Sequence, residues 1–377
     1  MNRNHKTYQP LLVRIAGKIT IIMLYTTLFV FFLYLPTFLT LFSNHQSLNV
    51  CVFSETFTPE SILRFEQETG IKVNITYAEI DEQIYAKFRM NGADGYDVVN
   101  MSDYVVHALR KQDLLVPIDK SKITSLVQLD EKLLNRVYDV DNQVSLPHKW
   151  YVYGLVYDKQ VFNIAPEKMS LDYIFNDPAK LVAEGKVSAS YRVCMLDDAR
   201  DAVFMAGIYL FGRGDEFSED QLQTIRKLLI AQKRWTEAYT LHSAQYFLFS
   251  GVTPIALMSS NYMRKIYQHT DRYAFAIPKE GSMLIIENLV IPKKSSKVDL
   301  AHKFIDFMLS ESVAKLNAGA YGFNSANKLA NEGLVQGPES NLQLLPDASM
   351  FKRLFIPLLP GHMRKRIEDL WLTVCFA

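Results

Sequence analysis

Leu48-Asn49-Val50-Cys51-Val52-Phe53, then Pro59-Glu60-Ser61-Ile62-Leu63-Arg64-Phe65-Glu66-Gln67-Glu68-Thr69-Gly70, then Ile71-Lys72-Val73-Asn74-Ile75-Thr76-Tyr77 set the architecture of this chain. The first run is short and apolar-rich, as a buried strand is. The second has proline in its first turn and glycine just past its end, the punctuation of a short helix. The third alternates apolar and polar residues, which predicts a second strand. Outward from here, residues 81–90 predict a helix, 96–101 a buried strand and 103–112 the next helix. Strand alternating with helix implies a largely parallel sheet.

A second block opens near Trp150, with a strand at 152–157 and a short helix at 171–175. Helices are expected at 202–209, 219–232 and 240–249, and strands at 254–258 and 273–277. The chain then returns to the first block at 284–291. Residues 297–318 carry Ala301, Phe304, Ile305, Met308, Val313 and Leu316 at helical spacing, which predicts an amphipathic helix.

In sheets of this kind ligands sit beyond the carboxyl ends of the strands. Ser54-Glu55 follows the first strand, and Ser102-Asp103-Tyr104 marks the end of another. Leu196-Asp197-Asp198-Ala199-Arg200-Asp201 places two carboxylates one helical turn apart at a strand-to-helix junction, and Glu287 stands just ahead of Asn288-Leu289-Val290-Ile291-Pro292. Carboxylates at three distant strand ends suggest a long ligand with several positive charges. The run at 197–201 reads equally well as a helix N-terminus, where acids satisfy free N–H groups and complement the dipole. Phe53 and Tyr104 are readable as core aromatics, and Ser102 as a cap for the helix that follows it.

The 377 residues are 49% apolar and 21% charged, an ordinary globular composition with room for two domains. The net charge of +1 hides an asymmetry, because Arg3, Lys6, Arg14 and Lys18 precede any acid. From Ser47 onward, 37 basic residues face 40 acidic ones. That balance excludes a nucleic-acid footprint.

Residues 19–42 carry no charge and are dense in Leu, Phe, Ile and Tyr, long enough to cross a bilayer as a helix. With the basic residues ahead of this stretch, everything after Ser43 is expected outside the cytoplasm. Leu41-Phe42-Ser43 is a poor cleavage site, which favours an uncleaved anchor over a signal sequence. Cys51 reads as a buried strand cysteine, and Cys51, Cys194 and Cys375 show neither zinc nor disulfide spacing. The histidines lack paired metal spacing, and no phosphate-cradling glycine loop or GxSxG elbow is present. Neither metal nor cofactor is expected.

Several blocks occur together and in order: Phe65 with Glu68-Thr69-Gly70-Ile71-Lys72-Val73, Tyr85-Ala86-Lys87, Tyr96-Asp97, Arg110-Lys111, Ile118-Asp119-Lys120-Ser121-Lys122, Asp197-Asp198-Ala199-Arg200, Pro278-Lys279-Glu280-Gly281 and Ile291-Pro292. Through them the chain resembles the spermidine/putrescine-binding proteins of bacterial polyamine ABC transporters. The resemblance implies an α/β, two-lobed periplasmic-binding-protein type II fold following an N-terminal hydrophobic helix. Residues 1–46 would be the signal or anchor, 47–150 and 286–322 the first lobe, and 151–285 and 323–377 the second. It implies a polyamine held between the lobes and delivered to ABC permease subunits, a monomer outside the cytoplasm, and a tie to the membrane if the N-terminal helix is uncleaved.

By position, the resemblance implies ligand contacts at Phe53, Ser54, Glu55, Ser102, Tyr104, Asp198, Asp201 and Glu287, with Asp197 as the helix cap and Arg200 in a structural ion pair. The acids are kept, but the family's aromatic cage is thinned, with Thr56, Ser259 and Ile285 at three of its ring positions. Losing a ring from a cation–π position costs about 0.5–2 kcal/mol. Tyr262, Trp150 and Tyr151 are the candidates to refill the cage, and Trp150 is alternatively a hinge-packing residue. Two other readings stand beside transport of a polyamine. One is a binder of another organic cation, or a ligand-sensing module not coupled to transport. The other is an enzyme using paired acids, for which no nucleophile or metal pattern is present.

Overall fold

Pro59 fills the first turn of the helix after the leading strand and Gly70 closes it at φ 71°, as expected, while the Thr58 hydroxyl caps it by accepting from the Ser61 N–H at 3.1 Å. The computed structural model describes residues 11–42, 46–214, 216–240, 243–266, 272–332, 344–358 and 360–377. Its strands are β1 (Ser47–Phe53), β2 (Lys72–Ala78), β3 (Val98–Ser102), β4 (Ser145–Asp158), β5 (Val193–Met195), β6 (Thr236–Tyr239), β7 (Ile255–Ser259), β8 (Tyr273–Ala276), β9 (Ser282–Val290), β10 (Asn324–Ser325) and β11 (Leu354–Phe355).

The sheet runs β2-β1-β3-β9-β4-β7-β5-β6. Strands β1, β2 and β3 are parallel at one end, and β5, β6 and β7 are parallel at the other. Between them the long strands β4 and β9 pair antiparallel. The expected parallel arrangement therefore holds at each end and gives way in the middle, where two strands pass between the blocks in opposite directions. A register shift between Pro147 and Lys149 sets Lys149 directly across from Glu287 and Tyr151 across from Ile285.

Two apolar clusters flank this sheet. One gathers Leu48, Phe65, Phe88, Leu109 and Ile305, and takes in Cys194, Ala256 and Met258 from one side of β5 and β7. The other gathers Tyr157, Phe162, Phe175, Phe204, Ile225 and Met363.

Some elements depart from the sequence reading. The expected single helix at 297–318 is two, Val298–Leu309 and Glu311–Tyr321, because Ser310 takes an extended ψ of 148° and its hydroxyl donates to the Phe307 carbonyl. The helix expected at 240–249 shortens to Ala244–Phe249 and follows β6, which was not anticipated; Leu241 and His242 lie outside the described residues. The C-terminal segment, unassigned from sequence, forms the helix Gly361–Phe376. Its buried stripe Met363, Ile367, Leu370 and Val374 packs on the helices Ala199–Phe211 and Glu219–Gln232. Trp371 meets the Tyr239 ring edge-on, and Lys233 donates to the last-turn carbonyls of Val374 and Cys375.

The N-terminal helix spans Leu11–Phe42, and the described side chains from 18 to 34 are exposed. Among the described residues no helix is long and apolar enough to cross a membrane. Arg3, Lys6 and Ser43, used above to orient this segment, lie outside the described residues. Cys51 is buried in β1, as read from sequence, and all three cysteines are free thiols.

Candidate ligand site

The ends of the strands converge on a cavity of about 230 Å³. After β1 the chain turns sharply at Glu55, whose φ of 58° is in the left-handed region that non-glycine residues seldom occupy. Beyond β2 come Glu79, Ile80, Asp81 and Glu82; beyond β3, Tyr104; beyond β5, Asp198, Arg200 and Asp201; beyond β7, Asn261 and Tyr262. The floor is one face of the antiparallel pair, with Lys149, Tyr151 and Tyr153 alternating along β4 and Ile285 and Glu287 facing them from β9. All eight residues singled out from sequence line this cavity.

Most of them have partners within the protein. The Ser102 N–H and hydroxyl both donate to the Asp81 carboxylate, at 3.0 and 2.5 Å, so Ser102 ties two strand ends together instead of capping its helix. Tyr104 donates from its hydroxyl to Glu82 at 3.0 Å, and the Arg200 guanidinium lies 4.0 Å above its ring. Arg200 also pairs with Asp201 at 2.8 Å, the structural ion pair anticipated for it. The helix Ala199–Phe211 is capped by Asp198, which accepts from the Asp201 N–H at 2.8 Å; Asp197, the expected cap, is exposed. Asp198 therefore both caps the helix and faces the cavity.

Glu287 is held on both oxygens: the Lys149 ammonium sits 3.2 Å from one, and the Asn100 amide donates to the other at 2.9 Å. Among the described residues seven carboxylates line the cavity against the two cations Lys149 and Arg200. The excess is what an oligocationic guest requires.

The aromatic wall was only partly legible. Ser259 and Ile285 line the cavity where rings were expected, and Thr56 is fully buried behind it. Tyr151 and Tyr262 contribute to the lining as anticipated, joined by Tyr153, Tyr321 and Phe323, which were missed. Trp150 does not: its indole N–H donates to the Ser325 carbonyl at 3.0 Å and its ring packs against Phe351. Strand alternation explains this, since Trp150 lies on the opposite face from Lys149 and Tyr151. Glu79, Asp81 and Glu82 were also passed over, although Ala78-Glu79-Ile80-Asp81-Glu82 follows β2 by the same logic that picked out Glu55.

Burial pushes the Asp81 carboxyl up to about 6, with Ser102 and Arg200 pulling back and Glu287 adding to the rise. It pushes Asp201 up to about 6 against the pull of Arg200, and Asp103, which accepts from the Ile286 and Tyr104 N–H groups, up to about 7. These values exceed the ordinary aspartate value of 3.8, so between there and the folded value the native state holds protons the unfolded chain releases. Their stabilisation is full below the unfolded value and is lost as pH rises through 6–7. Asp81→Asn, whose amide can still donate to the Ser102 hydroxyl, is expected to flatten the fall in melting temperature between pH 5 and 8. An unchanged slope would remove Asp81 from this account.

Residues 53–315 match the family model described as bacterial extracellular solute-binding protein. The chain belongs to that family. Among extracellular solute-binding proteins it is 27% identical to spermidine/putrescine-binding periplasmic protein 1 of Haemophilus influenzae over 78% of this chain and 80% of that one. It is 28% identical to the putrescine/cadaverine-binding protein of Pseudomonas aeruginosa, covering 84% and 89% of the two chains. The solved spermidine/putrescine ABC transporter substrate-binding protein of Streptococcus pneumoniae superposes with a TM-score of 0.75 at 25% identity, over 88% of this chain and 99% of that one. The periplasmic-binding-protein fold expected from the resemblance is thus the fold observed, and the polyamine-binding relatives are those the sequence pointed to.

Proposed function

We propose that this extracellular solute-binding protein captures a polyamine, or an organic cation of the same kind, and delivers it to an ABC permease as a monomer, without catalysing a reaction. The observation that carries this reading is the lining itself: seven carboxylates against two cations, with Phe53, Tyr104, Tyr151, Tyr153, Tyr262, Tyr321 and Phe323 around them. Carboxylates take ammonium groups through charge-assisted hydrogen bonds, and rings pack on methylene chains and attract cations. Phe53, Ser54, Glu55, Ser102, Tyr104, Asp198, Asp201 and Glu287 form the site in this reading. The lobes in this reading are residues 47–150 with 286–322 and 151–285 with 323–377. The protein acts outside the cytoplasm in this reading, with the uncharged stretch at 19–42 serving as export signal or anchor.

Calorimetric titration of the full chain in mild detergent with putrescine and spermidine tests the reading. Binding at micromolar ligand or tighter is expected, weakening as pH falls from 8 to 5 and the raised carboxyls protonate. Affinity and melting temperature then move in opposite directions with pH. No heat at millimolar amine would sink the polyamine assignment.

A further inference from the structure

Lys149 is 7% exposed, lines the cavity floor and projects from a strand that a register shift aligns residue for residue with β9. Its ammonium lies 3.2 Å from Glu287 and 5.2 Å from the centre of the Phe323 ring. A carboxylate on one side and an aromatic face on the other is what a solute-binding site offers to an alkylammonium guest. Here the guest position is filled by the protein's own primary ammonium on its own butyl chain. Asn100 holds the second oxygen of Glu287, which leaves that carboxylate's charge committed inside the protein.

We infer that Lys149 is a built-in occupant of one ammonium subsite and that it sets ligand specificity, favouring a diamine over a triamine. This rests on the amine-binding reading above. A ligand ammonium aimed at Glu287 meets a like charge fixed at the same place, so a guest with one cation fewer fits the remaining acidic positions better.

The test is calorimetry of the full chain with putrescine and spermidine, on wild type, Lys149→Met and Lys149→Met/Glu287→Gln. Wild type is expected to bind the diamine at least as tightly as the triamine. Lys149→Met vacates the subsite and leaves Glu287 charged, so the triamine-to-diamine affinity ratio is expected to rise roughly tenfold or more, the scale of one charge-assisted contact. The double variant removes the carboxylate as well and is expected to lose that gain. Because Lys149→Met leaves Glu287 unpaired and weakens the fold, melting curves supply a second readout: spermidine is expected to restore its midpoint more than putrescine does. A ratio unchanged in Lys149→Met, or raised equally in the double variant, overturns the inference while leaving amine binding intact. Absence of binding to either amine in every protein instead removes the underlying reading.

Discussion

Glu287→Gln is expected to destabilise the protein by about 3–5 kcal/mol, the cost of leaving one member of a buried ion pair without its counter-charge. Glu287 is 4% exposed and Lys149 7%, and their 3.2 Å contact is closed off further by Asn100. Glutamine keeps an oxygen for Asn100 to donate to but presents no charge to the lysine. The ammonium then either stays buried at high cost or drags its strand toward water. A fall in melting temperature on the order of 5–10 °C follows from the usual scaling for a chain of this size. Lys149→Met in the same molecule is expected to recover most of the loss, since the resulting neutral pair has no charge to desolvate. Denaturant melts of the two single variants and the double variant decide it. Losses that simply add would mean that the pair is not coupled.

The same arithmetic explains how an acid-rich cavity survives without a guest. Seven carboxylates in one small volume repel one another, and the protein answers by several routes. Lys149 and Arg200 supply positive charge from within, Ser102 solvates Asp81 with two donors, and burial raises the carboxyls of Asp81 and Asp201 toward neutrality. A cationic ligand supplies the remaining compensation. Ligand binding and proton binding therefore compete for the same oxygens.

What could be read in the sequence was whatever repeats with a period or sits at a topological position. The strands at β1, β2 and β3 and the helix Glu219–Gln232 follow from apolar spacing and end signals, and Glu55 and Asp198 from their places at strand ends, whereas Glu287, also read as a strand-end acid, lies within β9 and reaches the cavity by strand alternation. Three-residue β5 was too short to show a period. The break at Ser310 is invisible to periodicity, because apolar residues keep helical spacing on both sides of it. The wrong choice of Trp150 over Tyr153 was a question of strand phase. The register shift before Lys149 fixes which face of β4 looks into the cavity, and no composition signal encodes it. Lys149 itself was passed over because the expected strand began at Val152, whereas β4 begins at Ser145 and brings Lys149 into register with Glu287.

Asp198 separates the two readings that the acidic run carried from the start. Its carboxylate caps the helix Ala199–Phe211 through the Asp201 N–H, and the side chain, 41% exposed, also lines the cavity with Arg200 3.9 Å away. Asparagine is as good a cap as aspartate, so Asp198→Asn is expected to change stability by only a few tenths of a kcal/mol. Removing the charge is a different matter for a cationic ligand: a charge-assisted hydrogen bond contributes about 1.5–3 kcal/mol, so amine affinity is expected to fall roughly tenfold to a hundredfold or somewhat more. Asp198→Ala loses the cap as well and is expected to cost a further ~1 kcal/mol of stability. Melting curves and amine titrations on the two variants give four numbers, and the pattern decides the residue's role. If Asp198→Asn binds amines as tightly as wild type, the residue is a cap and nothing more, and the cleft's cation must be held by Glu55 and the acids beyond β2.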